Sequence, residues 1–460
     1  MMKKSLLSLL LLFTLFVAAE EITVLAVSDT HAKVENLRRL LPLYRAELAA
    51  ADGKVITVDA GDTLQGSFEA IWGGGVIPRE FQKLYHFDIW VPGNHDFEIQ
   101  PWRFRDYPGT ILGADWTARD FSPLKYQIRE VGKYRIALIG LGESNLKYRV
   151  LPSLGLVSTP HAEALAAAMA EVRRAKPDGI ILVRHDGEFS GTPKLAELIA
   201  LFPEIDLVIG GHSHQEVPGG RVARTHFVQT GKHAEALGVI KFDFDPVTGK
   251  LNKLTSELKK PAETSRVELP AELETLLAEA ARDKAEIAFT AAEPLANPTT
   301  PVFDNALGRL IGRAMRRAAD ARVALLVMYT GERTWPREIS FGTLYDMFPY
   351  ENRICRIELT PGQFETMMQA SAEILQKGKR SFLFDGVSVT TDKRGRLTGW
   401  TIPDPGPDGK IAVAVCDYDL AGGGAPTVLR QLLERGVPFR ETPIPLRDAV
   451  LRQQTNPSNP

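Results

Sequence analysis

The stretch ITVLAVSDTH, residues 22–31, sets the fold class of this chain, because an apolar and β-branched run leads directly into Ser28-Asp29-Thr30-His31. Such a run predicts a strand buried on both faces, as in a parallel sheet covered by helices. The pattern recurs up to about residue 244, with helical stretches between the runs, which predicts an α/β domain. The predicted strands are Ile22–Val27, Val55–Val58, Ile89–Val91, Ile136–Ile139, Ile180–Val183 and Leu207–Ile209.

The composition is that of a globular protein. The 460 residues are 44% hydrophobic and 24% charged, and the length is ample for two domains. The formal net charge is only −2, so the chain has no overall attraction to nucleic acid polymers or anionic lipid. An anionic ligand must therefore be held by a local site.

The N-terminus has the three parts of a secretory signal: Lys3 and Lys4, an apolar run Leu6–Phe16, and Val17-Ala18-Ala19 before two glutamates. We expect cleavage after Ala19 and a periplasmic or secreted protein. The apolar run is shorter than the ~20 residues that a bilayer span needs, so no stable membrane anchor is expected.

Export permits disulfides, and the chain has two cysteines, Cys355 and Cys416. They form either one bridge or two buried free thiols, and the sequence leaves both alternatives open.

Composition also divides the rest of the chain. Between Leu251 and Pro301 the residues Lys, Glu, Ala and Pro are frequent, and the stretch Pro270–Glu286 is charged and helical, which is typical of a linker that contains a helix. A second α/β unit begins with the amphipathic stretch Ala306–Ala319. The predicted boundaries are 1–19 for the signal peptide, 20–255 for the N-terminal domain, 256–300 for the linker, 301–452 for the C-terminal domain and 453–460 for a disordered tail.

Potential metal ligands follow five of the predicted strands. Ligands in open α/β sheets gather at the carboxyl ends of the strands, so these five loops are expected to converge on one crevice. Carboxylate and amide oxygens mixed with imidazole suit Zn, Mn or Fe better than calcium or a thiolate site. The clusters are Ser28-Asp29-Thr30-His31, Gly61-Asp62, Gly93-Asn94-His95-Asp96, His185-Asp186-Gly187 and Gly210-Gly211-His212-Ser213-His214.

Each cluster has an ordinary structural explanation when taken alone. Asp29 could cap a helix, Gly61-Asp62 and Gly93-Asn94 could form turns, and His185 could be a core histidine. His212-Ser213-His214 is stronger evidence, because two histidines after a double glycine suit a loop that presents imidazoles. The joint occurrence of all five clusters after strands favours a metal centre.

Together the motifs resemble the calcineurin-like metallophosphoesterases, and within them the secreted 5′-nucleotidase family. The shared motifs are Asp-x-His at residue 29, Gly-Asp-x-x-Gln-Gly at 61–66, Gly-Asn-His-Asp at 93–96, a strand-terminal His at 185 and Gly-Gly-His-x-His ending at 214. The resemblance implies a four-layered α/β/β/α N-terminal domain, a helical linker and a C-terminal α/β substrate domain.

The resemblance also implies two divalent metal ions that share Asp62. It places Asp29, His31, Asp62 and His214 on one ion, and Asp62, Asn94, His185 and His212 on the other. Two such ions clamp a phosphate and activate a water for attack on phosphorus. His95 resembles the family histidine that stabilises the phosphoryl group or leaving oxygen, and Glu98 resembles the carboxylate that orients it.

The C-terminal motifs match the family less well. Arg333 and Gly331 correspond to its phosphate-binding segment. Phe382 and Phe384 are candidates for one stacking ring, although two aromatic residues in a strand are more often core. A second ring is replaced by Asp419, and Tyr418 could substitute for it only if strand geometry allowed, since neighbouring strand residues face opposite ways. A ribose-binding aspartate is replaced by Ala425.

One further departure lies beside a predicted ligand. Arg184 precedes His185 where the family usually has serine, and it could point to solvent or bind substrate.

The predicted function is hydrolysis of phosphate monoesters, nucleotides first, in nucleotide catabolism, with a small phosphate ester as the binding partner. Alternatives on the same fold are a cyclic-nucleotide phosphodiesterase, a sugar-nucleotide hydrolase or a thiosulfohydrolase. A non-catalytic metal-binding relative is a third possibility. It is disfavoured because a purely structural metal site has no need of His95.

Overall fold

The computed structural model describes residues 20–98, 101–148, 150, 154–187, 195–329, 331–376, 380–422 and 427–455. The predicted signal peptide, Ala425 and residues 456–460 lie outside the described residues.

Two six-stranded sheets form the N-terminal domain, in the orders β14-β13-β1-β2-β3-β4 and β11-β12-β10-β9-β7-β6. The predicted strands are confirmed. The strands are β1 Glu20–Val27, β2 Val55–Asp59, β3 Ile89–Trp90, β4 Thr110–Ile111, β5 Trp116–Thr117, β6 Tyr126–Val131, β7 Tyr134–Leu141, β8 Val157–Ser158, β9 Gly179–Arg184, β10 Leu207–Gly210, β11 Glu216–Val222, β12 Thr225–Thr230, β13 Leu237–Phe244 and β14 Leu251–Lys259. The helices are α1 Val34–Ala50, α2 Phe68–Ile71, α3 Val76–Tyr85, α4 His161–Ala175, α5 Leu195–Leu201 and α6 Ala271–Ala285.

Alternating side chains of β1 show how the layers stack. Val24 and Ala26 lie in a core that also contains Ile181 of the second sheet, so the two sheets pack face to face. Leu25 and Val27 point the other way, into a core shared with helices α1 and α3. Helices α4 and α5 cover the outer face of the second sheet. The α/β/β/α architecture predicted from the resemblance is therefore confirmed.

The N-terminal domain extends beyond the predicted boundary at residue 255. Strand β14 continues to Lys259 and pairs antiparallel with β13 at the edge of the first sheet. Its charged composition is that of an edge strand with one face toward solvent, which the sequence pattern alone did not distinguish from a linker. The predicted linker helix is α6, which packs on the first sheet's helical layer through buried Leu273 and Ala280.

A five-stranded sheet, β21-β17-β24-β20-β25, forms the centre of the C-terminal domain. Its strands and those of the small sheets are β15 Ile287–Thr290, β16 Leu295–Ala296, β17 Val323–Tyr329, β18 Thr334–Trp335, β19 Glu338–Ser340, β20 Arg353–Leu359, β21 Arg380–Asp385, β22 Val389–Thr391, β23 Leu397–Trp400, β24 Ile411–Cys416 and β25 Phe439–Pro445. The helices are α7 Ala306–Ala319, α8 Phe341–Met347, α9 Pro361–Gln376, α10 Asp417–Ala421, α11 Thr427–Glu434 and α12 Leu446–Thr455. Helix α12 thus includes the first three residues of the segment expected to be a disordered tail.

The two cysteines lie on neighbouring strands but on opposite faces of this sheet. Cys355 is opposite Val415, and Cys416 is opposite Ile354, so the two thiols are offset by one residue. Adjacent positions of a strand point to opposite faces. Cys416 accordingly packs with helix α7, Cys355 packs with helix α9, and both are buried and free.

No helix within the described ranges combines the length and the apolar composition that a bilayer-spanning segment needs.

Candidate metal centre

The seven predicted ligands come together at the carboxyl ends of β1, β2, β3, β9 and β10. Two groups form, Asp29 with His31 and His214, and Asp62 with His185 and His212, and the ligand atoms of each group lie within 4.8 Å of one another. The carboxylate of Asp62 lies between the groups, because its Oδ2 is 3.1 Å from His185 Nε2 and 3.9 Å from His31 Nε2. The seventh predicted ligand, Asn94, places its Oδ1 3.0 Å from His212 Nδ1.

Backbone carbonyls orient two of the imidazoles. Nδ1 of His31 lies 2.9 Å from the carbonyl of Gln65, and Nδ1 of His185 lies 2.6 Å from the carbonyl of Ala60. Each Nδ1–H donates to its carbonyl, which leaves the Nε2 lone pair facing the cluster. Nε2 of His185 is buried and has no hydrogen bond of acceptable geometry. These residues therefore fit a metal, since a cation is the natural partner of such a nitrogen.

The protonation states of His31 and Asp29 point the same way. Burial lowers the pKa of His31 to about 3, so its imidazole is neutral, as a metal ligand must be. Burial raises the pKa of Asp29 to about 7, because the carboxylate has too little positive charge around it. A divalent cation supplies that charge compensation.

The backbone is strained where it presents the ligands. A positive φ is uncommon for residues with a side chain and concentrates at functional sites. Five of the predicted ligands have φ between 49° and 71°, namely Asp29, His31, Asp62, His212 and His214.

Asp96 holds this strained arrangement together and is not placed as a ligand. Its carboxylate accepts hydrogen bonds of 2.8–2.9 Å from the backbone N–H groups of Asp62, Thr63, Leu64 and Gly93. The loops after β2 and β3 are thus tied to each other. Gly93 is required at this point, because a Cβ there would lie 2.2 Å from Asp62 Oδ1.

His95 and Glu98 form a pair beside the metal centre. A short 3₁₀ helix, Asn94–Glu98, brings residues three apart onto the same side, so His95 Nδ1 lies 2.6 Å from Glu98 Oε1. Burial disfavours the charged imidazole, but the carboxylates of Asp62 and Glu98 outweigh it and raise the pKa of His95 to about 9.

A cavity of about 240 Å³ opens next to this pair, between the two domains. Tyr418 lines this cavity. It lies in helix α10, which begins at Asp417, so the expectation that this residue belongs to a strand is wrong. Asp419 turns inward and accepts a hydrogen bond from the Val327 N–H at 3.2 Å. The lining residues are Asn94, His95, Phe97, Glu98, Val150, His212, Tyr350, Glu351, Asn352, Asp417 and Tyr418.

The other predicted substrate residues do not line this cavity. Arg333 has a side chain 54% exposed and pairs with Asp346 at 3.2 Å. Gly331 donates its N–H to the carbonyl of Pro298 at 3.1 Å. Phe382 is fully buried in the core around α9 and β17, which corrects its prediction as a stacking ring.

Arg184 does not point to solvent, which corrects one of its two expected roles. It is buried and binds Asp186 at 2.8 Å, so it points away from solvent. Sequence reasoning also missed the loop Phe348–Asn352, which lies against His95 and Glu98, and Arg447, which carries no motif.

Two family descriptions match the chain: calcineurin-like phosphoesterase over residues 22–216, and 5′-nucleotidase, C-terminal domain, over residues 283–402. A 5′-nucleotidase from Mus musculus is 25% identical over an alignment of 290 residues, which covers 52% of this chain and 48% of the relative. The chain thus spans about half the length of the curated relatives it matches.

Solved structures of similar fold cover nearly the whole chain. A Staphylococcus aureus protein assigned as a 5′-nucleotidase has a TM-score of 0.73 at 17% identity, covering 96% of this chain and 97% of its own. A sulfate thiohydrolase from Thermus thermophilus has a TM-score of 0.56 at 16% identity, with 94% and 93% covered. At these identities the likeness shows the fold alone.

Proposed function

We propose that this chain, which belongs to the two-domain family of calcineurin-like phosphoesterases with a 5′-nucleotidase C-terminal domain, hydrolyses phosphate monoesters, nucleotides among them. The observation that carries the proposal is the pair of ligand groups with the carboxylate of Asp62 between them, placed directly beside the His95–Glu98 pair. We also propose that residues 1–19 direct export to the periplasm or outside the cell.

Asp29, His31 and His214 with Asp62 would hold one divalent ion, and His185, His212 and Asn94 with Asp62 the other. When bound, such ions, whether Zn, Mn or Fe, supply Lewis acidity at phosphorus and a water of lowered pKa. The protein supplies rigid placement of the ligands through Asp96 and the backbone carbonyls described above.

His95 acts at the leaving group. Glu98 occupies its Nδ1, so Nε2 is the nitrogen left to reach a phosphoryl or leaving-group oxygen. Because the carboxylate fixes the ring orientation and holds a proton on Nδ1, the histidine is ready before the substrate binds.

The cavity supports a small organic leaving group with a planar surface. Tyr350 and Tyr418 contribute aromatic rings, which stack on bases. None of the described residues that line the cavity is Lys or Arg, so phosphate binding rests on the metal centre. Recognition of one particular base is accordingly weak in this proposal.

The test is a substrate panel with metal-loaded protein: AMP, a sugar nucleotide, a cyclic nucleotide, an S-thiosulfonate and p-nitrophenyl phosphate. We expect hydrolysis of both monoesters, with kcat/KM values within about two hundredfold of each other, since the stacking contribution is roughly 1–3 kcal/mol and about 1.4 kcal/mol corresponds to a factor of ten. Asp62→Ala serves as the background control. The proposal would be contradicted if the protein cleaved only the cyclic nucleotide, which is a diester, only the sugar nucleotide, which is a pyrophosphate, or only the S-thiosulfonate.

A further inference from the structure

The loop Phe348–Asn352 of the C-terminal domain rests on the His95–Glu98 pair of the N-terminal domain. The ring of Tyr350 stacks on the imidazole of His95, with centroids 5.6 Å apart and planes inclined by 15°. The backbone N–H of Glu351 donates to Glu98 Oε2 at 3.1 Å. The carbonyl of Pro349, the residue before Tyr350, accepts a hydrogen bond from the side chain of Gln65.

Arg447, the second residue of helix α12, holds this loop from behind. Its Nη1 donates to the carbonyl of Phe348 at 3.0 Å, and its Nη2 donates to the Glu351 carboxylate. Its guanidinium carbon lies 5.6 Å from the ring centroid of Tyr345. The side chain is 8% exposed, so these contacts are made with little competition from water. One planar guanidinium thus binds both ends of the loop segment that reaches His95.

The hydrogen bond from Glu351 determines how Glu98 faces the histidine. Glu98 uses Oε1 for His95 Nδ1 and Oε2 for the Glu351 N–H, so both of its oxygens are engaged. A carboxylate held at both oxygens cannot turn about its terminal bond, and the imidazole it binds keeps one orientation. If the loop moves, Glu98 loses one of these two restraints.

We propose that Arg447 is a positioning residue for His95, acting through the loop Phe348–Asn352 and Glu98. The inference rests on the proposed function, because it assigns Arg447 to the leaving-group step of that reaction. It also means that the C-terminal domain completes the leaving-group machinery of the N-terminal domain. Replacing a residue that orients a functional side chain usually lowers activity 10–100-fold, so the effect is large enough to measure.

The test compares two monoesters with different leaving groups. p-Nitrophenyl phosphate expels a stable phenolate, whereas glycerol 2-phosphate expels an alkoxide that needs help from His95. We expect Arg447→Lys to lower kcat/KM for the alkyl ester by about 10–100-fold and for the aryl ester by about threefold or less. His95→Ala is expected to change the ratio of the two values in the same direction. This ratio does not depend on the fraction of correctly folded enzyme.

A double variant and a matched control complete the design. In the His95→Ala background, Arg447→Lys should leave the ratio unchanged, because coupled residues are not additive. Arg452→Lys, on the exposed side of the same helix, should behave as wild type. Glu351→Gln weakens the same link from the loop side and should shift the ratio in the same direction, which keeps the proposal testable if Arg447→Lys does not fold.

Equal losses on both esters, or the same loss in the His95→Ala background, would overturn the role of Arg447 while leaving the proposed function intact. Failure of the wild-type protein to hydrolyse either ester would instead remove the proposed function, and this inference with it.

Discussion

The ring of Tyr350 lies nearly parallel to the imidazole of His95 across the boundary between the two domains, with 5.6 Å between the ring centroids. Tyr350 is 49% exposed, so the contact shields one face of the imidazole while leaving the tyrosine open to the cavity.

We expect Tyr350→Ala to lower kcat/KM for AMP about fivefold, because an aromatic contact is worth roughly 0.5–1.5 kcal/mol beyond its buried area. Tyr350→Phe keeps the ring and should retain nearly full activity. Steady-state kinetics of both variants test this. Wild-type activity in Tyr350→Ala would show that the ring contact has no role in turnover.

Asp62→Ala should abolish activity together with metal binding. The carboxylate faces both ligand groups, so its removal takes a ligand and a negative charge from both ions. Elemental analysis after gel filtration measures the metal content. His95→Ala is the comparison, and it should keep two ions while lowering turnover by roughly 10²–10⁴-fold. Two ions bound to Asp62→Ala would exclude the shared-ligand role.

Arg184→Ala should destabilise the N-terminal domain by about 3–5 kcal/mol, because it leaves the buried carboxylate of Asp186 without its cation. Urea unfolding of the metal-free protein gives the free energy of unfolding directly. The exposed Arg174→Ala on helix α4 is the control, with an expected change below about 0.5 kcal/mol. A comparably small change in Arg184→Ala would mean that the Arg184–Asp186 pair contributes nothing.

Arg333→Ala should lower kcat/KM by no more than about threefold for AMP and p-nitrophenyl phosphate alike. The side chain is exposed and pairs with Asp346, and exposed ion pairs contribute roughly 0–1 kcal/mol. The sequence pattern alone predicts a uniform and larger loss through phosphate binding. A hundredfold loss would show that Arg333 reaches the substrate in another arrangement of the domains.

Asp419 should make stability fall as the pH rises. Burial raises its pKa to about 7 from an ordinary value of 3.8, so between these values the folded state binds more protons than the unfolded state. The free energy of unfolding therefore falls as the pH rises from about 4 to above 7, and the total loss has an upper limit of about 4 kcal/mol.

Asp419→Asn keeps an acceptor for the Val327 N–H and does not titrate. The free energy of unfolding of this variant should therefore exceed that of the wild type by an amount that grows from pH 4 to pH 8. Urea unfolding across this range measures it, with the exposed Asp404→Asn as control. A constant difference between variant and wild type would refute the assignment.

Local sequence suffices to predict much of the N-terminal domain. A continuous apolar run such as Ile180–Val183 has one stable environment, the interior of a covered sheet. Because parallel strands place their carboxyl ends at one edge, the polar residues that follow them are expected to meet, as Asp62 and His185 do. The order of the motifs along the chain therefore suffices to predict where the candidate metal centre lies.

Side-chain direction in the C-terminal domain is less accessible to such reasoning. The sequence leaves Phe382 open as a stacking ring or, more often for an aromatic residue in a strand, as core, and only the packing of its strand against α9 places it inside. Tyr418 reaches the cavity because its segment is a helix, in which neighbours are separated by a third of a turn and not by half a turn as in a strand.

The sequence by itself determines which residues enter strands and helices and which ligands follow them, because those outcomes depend on neighbours a few positions away. Tertiary structure alone brings Arg447 to Glu351, 96 residues earlier, and Glu351 to Glu98, 253 residues earlier. The first contact depends on how helix α12 packs within the C-terminal domain, and the second depends on how the two folded domains dock. Docking is decided by many contacts between distant parts of the chain, so no local pattern in the sequence encodes it.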